Sequence, residues 1–423
     1  MNLFYDALVY FKERWIIGVK KYTLMHKNIE VLELCLDEEL GAILDISKYY
    51  NTAHIPVGLQ TADLKVNKKE LKKWWTNRAI PMEREGIEQF LKERGLNDTE
   101  ELLLENLGLS LVDHYWLKPE HTDLTWEQVN FYQNDFSDSL NIYEESRKRD
   151  SELEYTPSYS AGGKLVKQWI IENGTRILLK NGTLPYQQEP INEVFASQIY
   201  RAAQAKIDFT EYSLRTSEKY GLLSSCSCYT SEQLEFVPAF YILGSQKKSN
   251  SISQLQHYRE VCEAHGCNVE EFLNTMFVMD YLIANTDRHM NNFGILRNSE
   301  TLEWIKVAPI YDNGNSLWYT TQTELISNKQ DIKINSFYDT QKKQLSHATN
   351  LPELDFDELK NGDLLLKKVF MSKDSLISKE RIERLQEAFR EKVVDLEQVY
   401  SRFYREKRIY FPSKYTKVND LEL

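Results

Sequence analysis

Residues 281–318, YLIANTDRHMNNFGILRNSETLEWIKVAPIYDNGNSLW, bring Asp287, Asn292 and Asp312 into one short stretch. Asp287 can take a proton from a hydroxyl, while the amide oxygen of Asn292 and the carboxylate of Asp312 can hold a hard divalent cation. Those are the parts needed for phosphoryl transfer from a nucleoside triphosphate, where positioning and charge neutralisation carry most of the chemistry. Asp287-Arg288-His289 precedes Asn291-Asn292, and Asp312 opens an Asp312-Asn313-Gly314 turn. Alone, each member has an ordinary alternative as a helix cap or turn residue. The combination points to a kinase using ATP and Mg²⁺, with Asp287 as base, His289 beside it in the catalytic loop, and Asn292 and Asp312 as metal ligands.

A second group lies upstream. Ser160-Ala161-Gly162-Gly163 offers a loop whose backbone amides can approach phosphates without side-chain obstruction. The spacing is neither that of a P-loop nor of GxGxxG, and a Gly-Gly turn before a strand is most often a hairpin. Lys180 ends the strand pattern RILLK, and Glu193 follows thirteen residues later in a helical pattern. A strand lysine that contacts phosphates and pairs with a glutamate of the next helix is a kinase arrangement. Glu235-Phe236-Val237-Pro238 has the character of an interlobe connector, whose backbone at Glu235 and Val237 is expected to meet an adenine.

These residues need elements to hold them. Partial alternation at 28–36 and 41–46 predicts short strands, and 68–77, 83–94 and 99–106 predict helices, the last capped by Asn97 and Asp98. An aromatic-rich stretch at 109–136 is read as core. Residues 137–157 form a charged run without periodicity, ending at a proline, and are read as a linker. Beyond it the sequence predicts a glycine loop, a strand, an Asn173-Gly174 turn and a second strand. A helix over 190–205, strands through 236–243, helices through 261–283, a short strand at 307–310 and a long amphipathic helix over 378–405 complete the expectation. Polar residues 320–350 are the natural activation or substrate-docking loop, solvated and mobile.

Composition narrows the class. The 423 residues are 42% hydrophobic, enough for one large core or two smaller ones. A net charge of −12 and a pI near 5.4 disfavour broad nucleic-acid binding. No apolar run is long enough to cross a bilayer. Five cysteines, Cys35, Cys226, Cys228, Cys262 and Cys267, with no signal-like apolar start, predict a reduced, cytoplasmic protein. Their spacing with His265 does not match a structural zinc site, and they are read as ordinary thiols.

With these residues located, the chain resembles the HipA-like serine/threonine kinases over roughly residues 155–400. The resemblance rests on SAGGKLVK at 160–167, LLK ending at Lys180, QEPINE ending at Glu193, ANTDRHMNNFG from Ala284 and APIYDNGNSLW from Ala308. It implies an α+β, two-lobed protein-kinase-like fold shared with phosphoinositide kinases. The divisions are a mixed α/β N-terminal region at 1–136, the linker at 137–157, an N-lobe with connector at 158–243 and a helical C-lobe at 244–423. By resemblance Asp287 inherits the base role, Asn292 and Asp312 magnesium coordination, and Lys180 the phosphate contact. Ser160 stands where some members phosphorylate themselves and expel the phosphate loop, with Ser158 close enough to compete. The implied partners are a protein substrate with a Ser or Thr acceptor and, from the toxin branch, an antitoxin or other regulatory protein. Neither direct nucleic-acid binding nor membrane attachment is expected. The first 135 residues differ in length and helix content from the short β-rich unit of the toxins. A small-molecule or lipid-headgroup kinase and a nucleotide-binding regulatory module without turnover are the alternatives.

Overall fold

The computed structural model describes residues 18–61, 63–136 and 156–410, with side chains to 405. All but the last two residues of the expected 137–157 linker lie outside the described residues. Along the chain, β1 (Val19–His26), β2 (Ile29–Asp37) and β3 (Ala42–Tyr49) precede α1 (Lys68–Thr76), α2 (Ile87–Arg94) and α3 (Thr99–Glu105). Next come β4 (Tyr115–Pro119), α4 (Trp126–Val129), β5 (Lys167–Glu172), β6 (Thr175–Lys180), α5 (Gln188–Ala202), β7 (Ser213–Ser217), β8 (Gly221–Ser227) and β9 (Leu234–Pro238). Then follow α6 (Ala239–Gly244), α7 (Gln254–Ala264), α8 (Glu270–Leu282), β10 (Gly294–Asn298) and β11 (Trp304–Val307). The helices α9 (Gln341–Leu345), α10 (Phe356–Lys360), α11 (Gly362–Phe370) and α12 (Lys379–Tyr410) end the described chain. The class is mixed α+β.

The chain divides into two compact units. The first comprises Met1–Gly182, Arg215–Cys267 and Gly294–Ala308, and the second Thr183–Leu214, Asn268–Phe293 and Pro309–Leu423.

Among its described residues the first unit holds three sheets, ordered β3-β2-β1-β4, β5-β6-β8-β7 and β11-β10-β9. In the first, alternating residues of β1 and β2 bury Leu24, Leu32, Leu34 and Leu36, with Leu71, Trp74 and Trp75 of α1 packed against them. The Asn67 side chain accepts from the amides of Lys69 and Glu70 and so starts α1, and Asp98 starts α3 by accepting from Glu100. The helix predicted from residue 83 begins only at Ile87, because Gly86 adopts φ +80° and 81–86 form a turn. Asn173 and Gly174, with φ +49° and +76°, close the β5–β6 hairpin as predicted. The strand expected through 236–243 stops at Pro238, which caps α6.

The second unit is largely helical. Phe195 of α5 meets Phe389 of α12 and Phe370 of α11 edge-on, with centroids 5.5 and 6.5 Å apart. The helices predicted through 261–283 are α7, which starts earlier at Gln254, and α8, separated where Gly266 takes φ +74°. In place of a strand at 307–310, Ile310 makes an isolated parallel bridge to Phe209. Among the described residues no helix is long and apolar enough to cross a membrane.

Candidate active site

Asp280 is the one acid in the apolar run MFVMDYLIA of α8, and it is 3% exposed. Its Oδ1 accepts from Asn285 Nδ2 at 3.0 Å, and Asn285 Oδ1 accepts the amide of Asp287 at 3.0 Å. The helix end is thereby wired to the loop at 285–292. Arg288, 1% exposed, pairs with Asp280 at 3.0 Å and also donates to the carbonyls of Asn292 and Tyr311 and to Asn313 Oδ1. One guanidinium thus gathers the helix, the Asp287 loop and the Asp312 loop. Burial alone would lower its proton affinity, but the Asp280 carboxylate holds it above the ordinary arginine range.

Asp287 is half-buried, and its Oδ2 accepts from Asn315 Nδ2 at 2.8 Å. Asn292 Nδ2 donates to the Asp287 carbonyl at 2.9 Å. That bond fixes the Asn292 amide, and its Oδ1 accepts from no protein group among the described residues. His289 shapes the same loop: its carbonyl accepts the Asn292 amide at 2.8 Å and its Nδ1 accepts the Asn291 amide at 3.3 Å.

Asp312 takes φ +58°, a left-handed conformation that Asp tolerates better than most residues, and its amide donates to the Tyr212 hydroxyl at 3.4 Å. The next residues are held from α5. Glu193 Oε2 accepts the Asn313 amide at 2.8 Å, and Asn192 Nδ2 donates to the carbonyls of Gly314 and Ser316, each at 2.8 Å. Glu193 thereby fixes the backbone beside Asp312. The amide oxygen of Asn292 and the half-buried carboxylate of Asp312 are each hard-oxygen donors of the type Mg²⁺ takes.

In the first unit, Ser160 ends a 3₁₀ turn over Pro157–Ser160. Its hydroxyl is buried and donates to the Pro157 carbonyl at 3.2 Å, while the buried Ser158 Oγ accepts the Trp169 amide at 2.9 Å. Ala161 is buried, whereas Gly162 and Gly163 are exposed, and their amides donate to no protein group among the described residues. Gly163 has φ +91°, which favours glycine there. Lys180 ends β6 opposite Lys167 and is 4% exposed.

The adenine role expected of Glu235 and Val237 does not hold. Phe236 turns its amide outward to the Val112 carbonyl at 2.8 Å, so the alternation of an antiparallel pair turns the backbones of Glu235 and Val237 into β10. The Glu235 side chain is 1% exposed and held by Arg297, by His26 Nε2 at 3.1 Å and by His114 Nδ1 at 3.3 Å. Burial would raise this carboxyl, yet Arg297 and His26 keep it well below the usual range. His26, His114 and Glu235 present ligand-type atoms within 4.8 Å of one another. Arg297 already neutralises the carboxylate, so a dication there would bury a net charge of about +2 at a prohibitive desolvation cost. The group is a buried clasp between β1, the segment before β4, β9 and β10.

Residues 320–350, many of them exposed, are anchored at several points rather than left loose. Arg381, fully buried, donates to the carbonyls of Trp318 and Thr321 at 2.8 and 2.7 Å. Asn335 donates its amide to the Thr286 carbonyl at 3.1 Å, and Gln341 Nε2 reaches the Asn285 carbonyl at 2.9 Å. The segment therefore braces the Asp287 loop. Sequence reasoning missed these braces, as it missed Asp280, whose signal was a lone acid in an apolar helix.

The HipA-like C-terminal domain family matches residues 159–395, more than half of the chain. The chain is 29% identical over 147 residues to the serine/threonine-protein kinase CtkA of Helicobacter pylori, a match covering 32% of this chain and 42% of that protein. The chain thus spans less than half the length of this curated relative. The crystal structure of a Helicobacter pylori proinflammatory kinase CtkA aligns with a TM-score of 0.41 and 17% identity, covering 57% of this chain and 95% of that one. HipA from Shewanella oneidensis MR-1, in a complex with HipB and its operator DNA, aligns with a TM-score of 0.54 and 11% identity over 89% of this chain and 99% of that one. That likeness is one of fold. On the family match, this chain belongs to the HipA-like C-terminal domain family.

Proposed function

We propose that this protein is an ATP- and Mg²⁺-dependent serine/threonine protein kinase. The observation that carries the reading is the state of Asp287: Oδ2 is committed to Asn315, while Oδ1 has no protein partner among the described residues and is free to accept a substrate hydroxyl proton. Asn292 and Asp312 would hold Mg²⁺, which when bound would neutralise triphosphate charge. Asn315 orients the base, and Arg288 keeps the two loops in register. The uncommitted amides of Gly162 and Gly163 suit the phosphates, with Lys180 as the further phosphate contact. The division into an N-lobe over 158–243 and a C-lobe over 244–423 is part of this reading. So is autophosphorylation of Ser160, which requires the 157–160 turn to open because the hydroxyl is buried. A protein of antitoxin type is the candidate regulatory partner. Five free thiols agree with a reducing, cytoplasmic setting.

The test is incubation of the full chain with γ-labelled ATP and Mg²⁺ beside Asp287→Asn and Asp312→Ala. Wild type is expected to transfer label to serine or threonine. The Asp287 variant should lose about 10²- to 10⁴-fold in rate while retaining nucleotide binding. Transfer only to a small hydroxyl compound would replace the protein-kinase reading with a small-molecule one. ATP binding without transfer to any acceptor would leave a regulatory module.

A further inference from the structure

Resting on the phosphate-loop reading of 160–163, we infer that Arg84, outside the family-matched residues, is a positioning residue for that loop and sets its nucleotide affinity from the N-terminal region. Arg84 sits in the 81–86 turn between α1 and α2 and is 5% exposed. Its Nη2 donates to the carbonyls of Ala161 and, at 2.7 Å, Gly163, and its Nε reaches Gly163 at 3.2 Å. Lys167 Nζ takes the intervening Gly162 carbonyl at 2.7 Å. Three successive carbonyls are thus drawn toward protein cations, leaving the exposed amides of Gly162 and Gly163 to face outward as an anion-binding nest.

Arg84 has no carboxylate partner among the described residues, and its Nη1 is buried without a hydrogen bond. A buried cation ordinarily acquires an anion or sheds its charge. Burial lowers this guanidinium only to about 10, so it stays charged at neutral pH. An uncompensated positive charge beneath the loop is costly in the empty protein, and a triphosphate above it would offset that cost.

The surrounding contacts tie the loop to the same platform. Tyr159 packs in a cluster with Ile80, Ile87, Leu91 and Leu102, with Phe90 against it at 5.8 Å. The Thr156 amide donates to Asn106 Oδ1 at 2.9 Å. The phosphate loop is built on helices that precede the matched family domain, so a ligand or partner that displaced the 81–86 turn would loosen it.

The test uses the full chain as wild type, Arg84→Lys, Arg84→Gln and Arg84→Ala, each checked for an unchanged far-UV spectrum. ATP kinetics, ADP–Mg²⁺ binding and amide exchange over 157–166 without nucleotide are measured. Arg84→Gln should weaken ADP binding and raise KM for ATP about tenfold to a hundredfold, with kcat within about twofold, and should speed exchange across the loop. Arg84→Lys should recover part of the affinity, and added guanidinium should partly restore Arg84→Ala. Unchanged ADP affinity in Arg84→Gln, with wild type binding normally, overturns the inference and leaves the kinase reading intact. If wild type binds neither ATP nor ADP, the kinase reading falls. Loop exchange unchanged in Arg84→Gln overturns the positioning role whatever the nucleotide result.

Discussion

An Asp280→Asn substitution removes one negative charge at nearly constant volume from beneath the Asp287 loop. Asp280 and Arg288 are 3% and 1% exposed, so neither charge has water to fall back on. Asp280 accepts from Arg288 Nε and Nη2, both at 3.0 Å, and from Asn285 Nδ2. The introduced amide keeps one acceptor oxygen but turns its NH₂ toward donors. Arg288 cannot shed its proton, so it is left as a buried, uncompensated cation. Breaking a buried pair in this way costs about 3–5 kcal/mol. Denaturant unfolding at pH 7 should show that loss in the transition of the unit carrying α8. The single variant should also lose transfer rate, because Arg288 bonds the Asn292 and Tyr311 carbonyls that seat the proposed metal ligands. The double variant Asp280→Asn with Arg288→Met removes the orphaned cation. It should therefore lose less than the sum of the two single losses, by about 1–3 kcal/mol. A loss below about 1 kcal/mol for Asp280→Asn, or strict additivity of the pair, would refute the idea that one ion pair organises both loops.

Two further predictions concern pH. Lys392 is 1% exposed, and burial pushes its ammonium down to about 7, although Nζ meets Gln341 Oε1 at 2.8 Å and lies over the Tyr281 ring. Between pH 7 and 10.5 the unfolded chain holds that proton and the folded chain does not, so stability from this group rises with pH by up to about 1.4 kcal/mol per unit. Lys392→Met should flatten that limb of a stability–pH curve, and an unchanged slope would contradict the assignment. His54 is pushed down to about 4 by burial and by its neighbours His26 and Arg297. Protons therefore favour the unfolded chain as pH falls from 6.5 toward 4, and His54→Gln should remove up to about 3 kcal/mol of acid-side loss in urea titrations at pH 7 and 4.5.

Local signals carried much of the fold. Asp98 marks a helix start because its side chain satisfies a first-turn amide, and Asn173-Gly174 marks a hairpin because both residues take positive φ. Prediction weakened where one glycine or proline competes with periodicity, as at Gly86 and Pro238. The acids and amides of the candidate site stood out as a spaced set, and the second unit brings Asp287, Asn315 and Asn292 together by hydrogen bonds. The parts that hold them did not stand out. Asp280–Arg288 spans eight residues, but Arg84 meets residues more than seventy-five positions away, and Glu235 meets His26 across two hundred. Such pairings depend on tertiary placement, and a single sequence has no periodic trace of them. Glu235 was misassigned for that reason: a strand ending at proline has the same local pattern whether its backbone is free or paired.

The order in which the units alternate along the chain has a consequence for synthesis. The polypeptide passes from one unit to the other at Gly182/Thr183, Leu214/Arg215, Cys267/Asn268, Phe293/Gly294 and Ala308/Pro309. On the ribosome, β9 must wait for β10, some sixty residues later, a delay of roughly 3–12 s at typical elongation rates. Phe195 waits far longer for Phe389. Those strands and faces emerge unpaired and are the segments most in need of chaperone cover. The β3-β2-β1-β4 sheet is different, since its strands end at Pro119 and its core cluster draws its buried residues from 22–117. It can close early, whereas the cluster of Ile80, Ile87, Leu91 and Leu102 beside Arg84 is completed only when Tyr159 and the adjoining glycine loop have been translated.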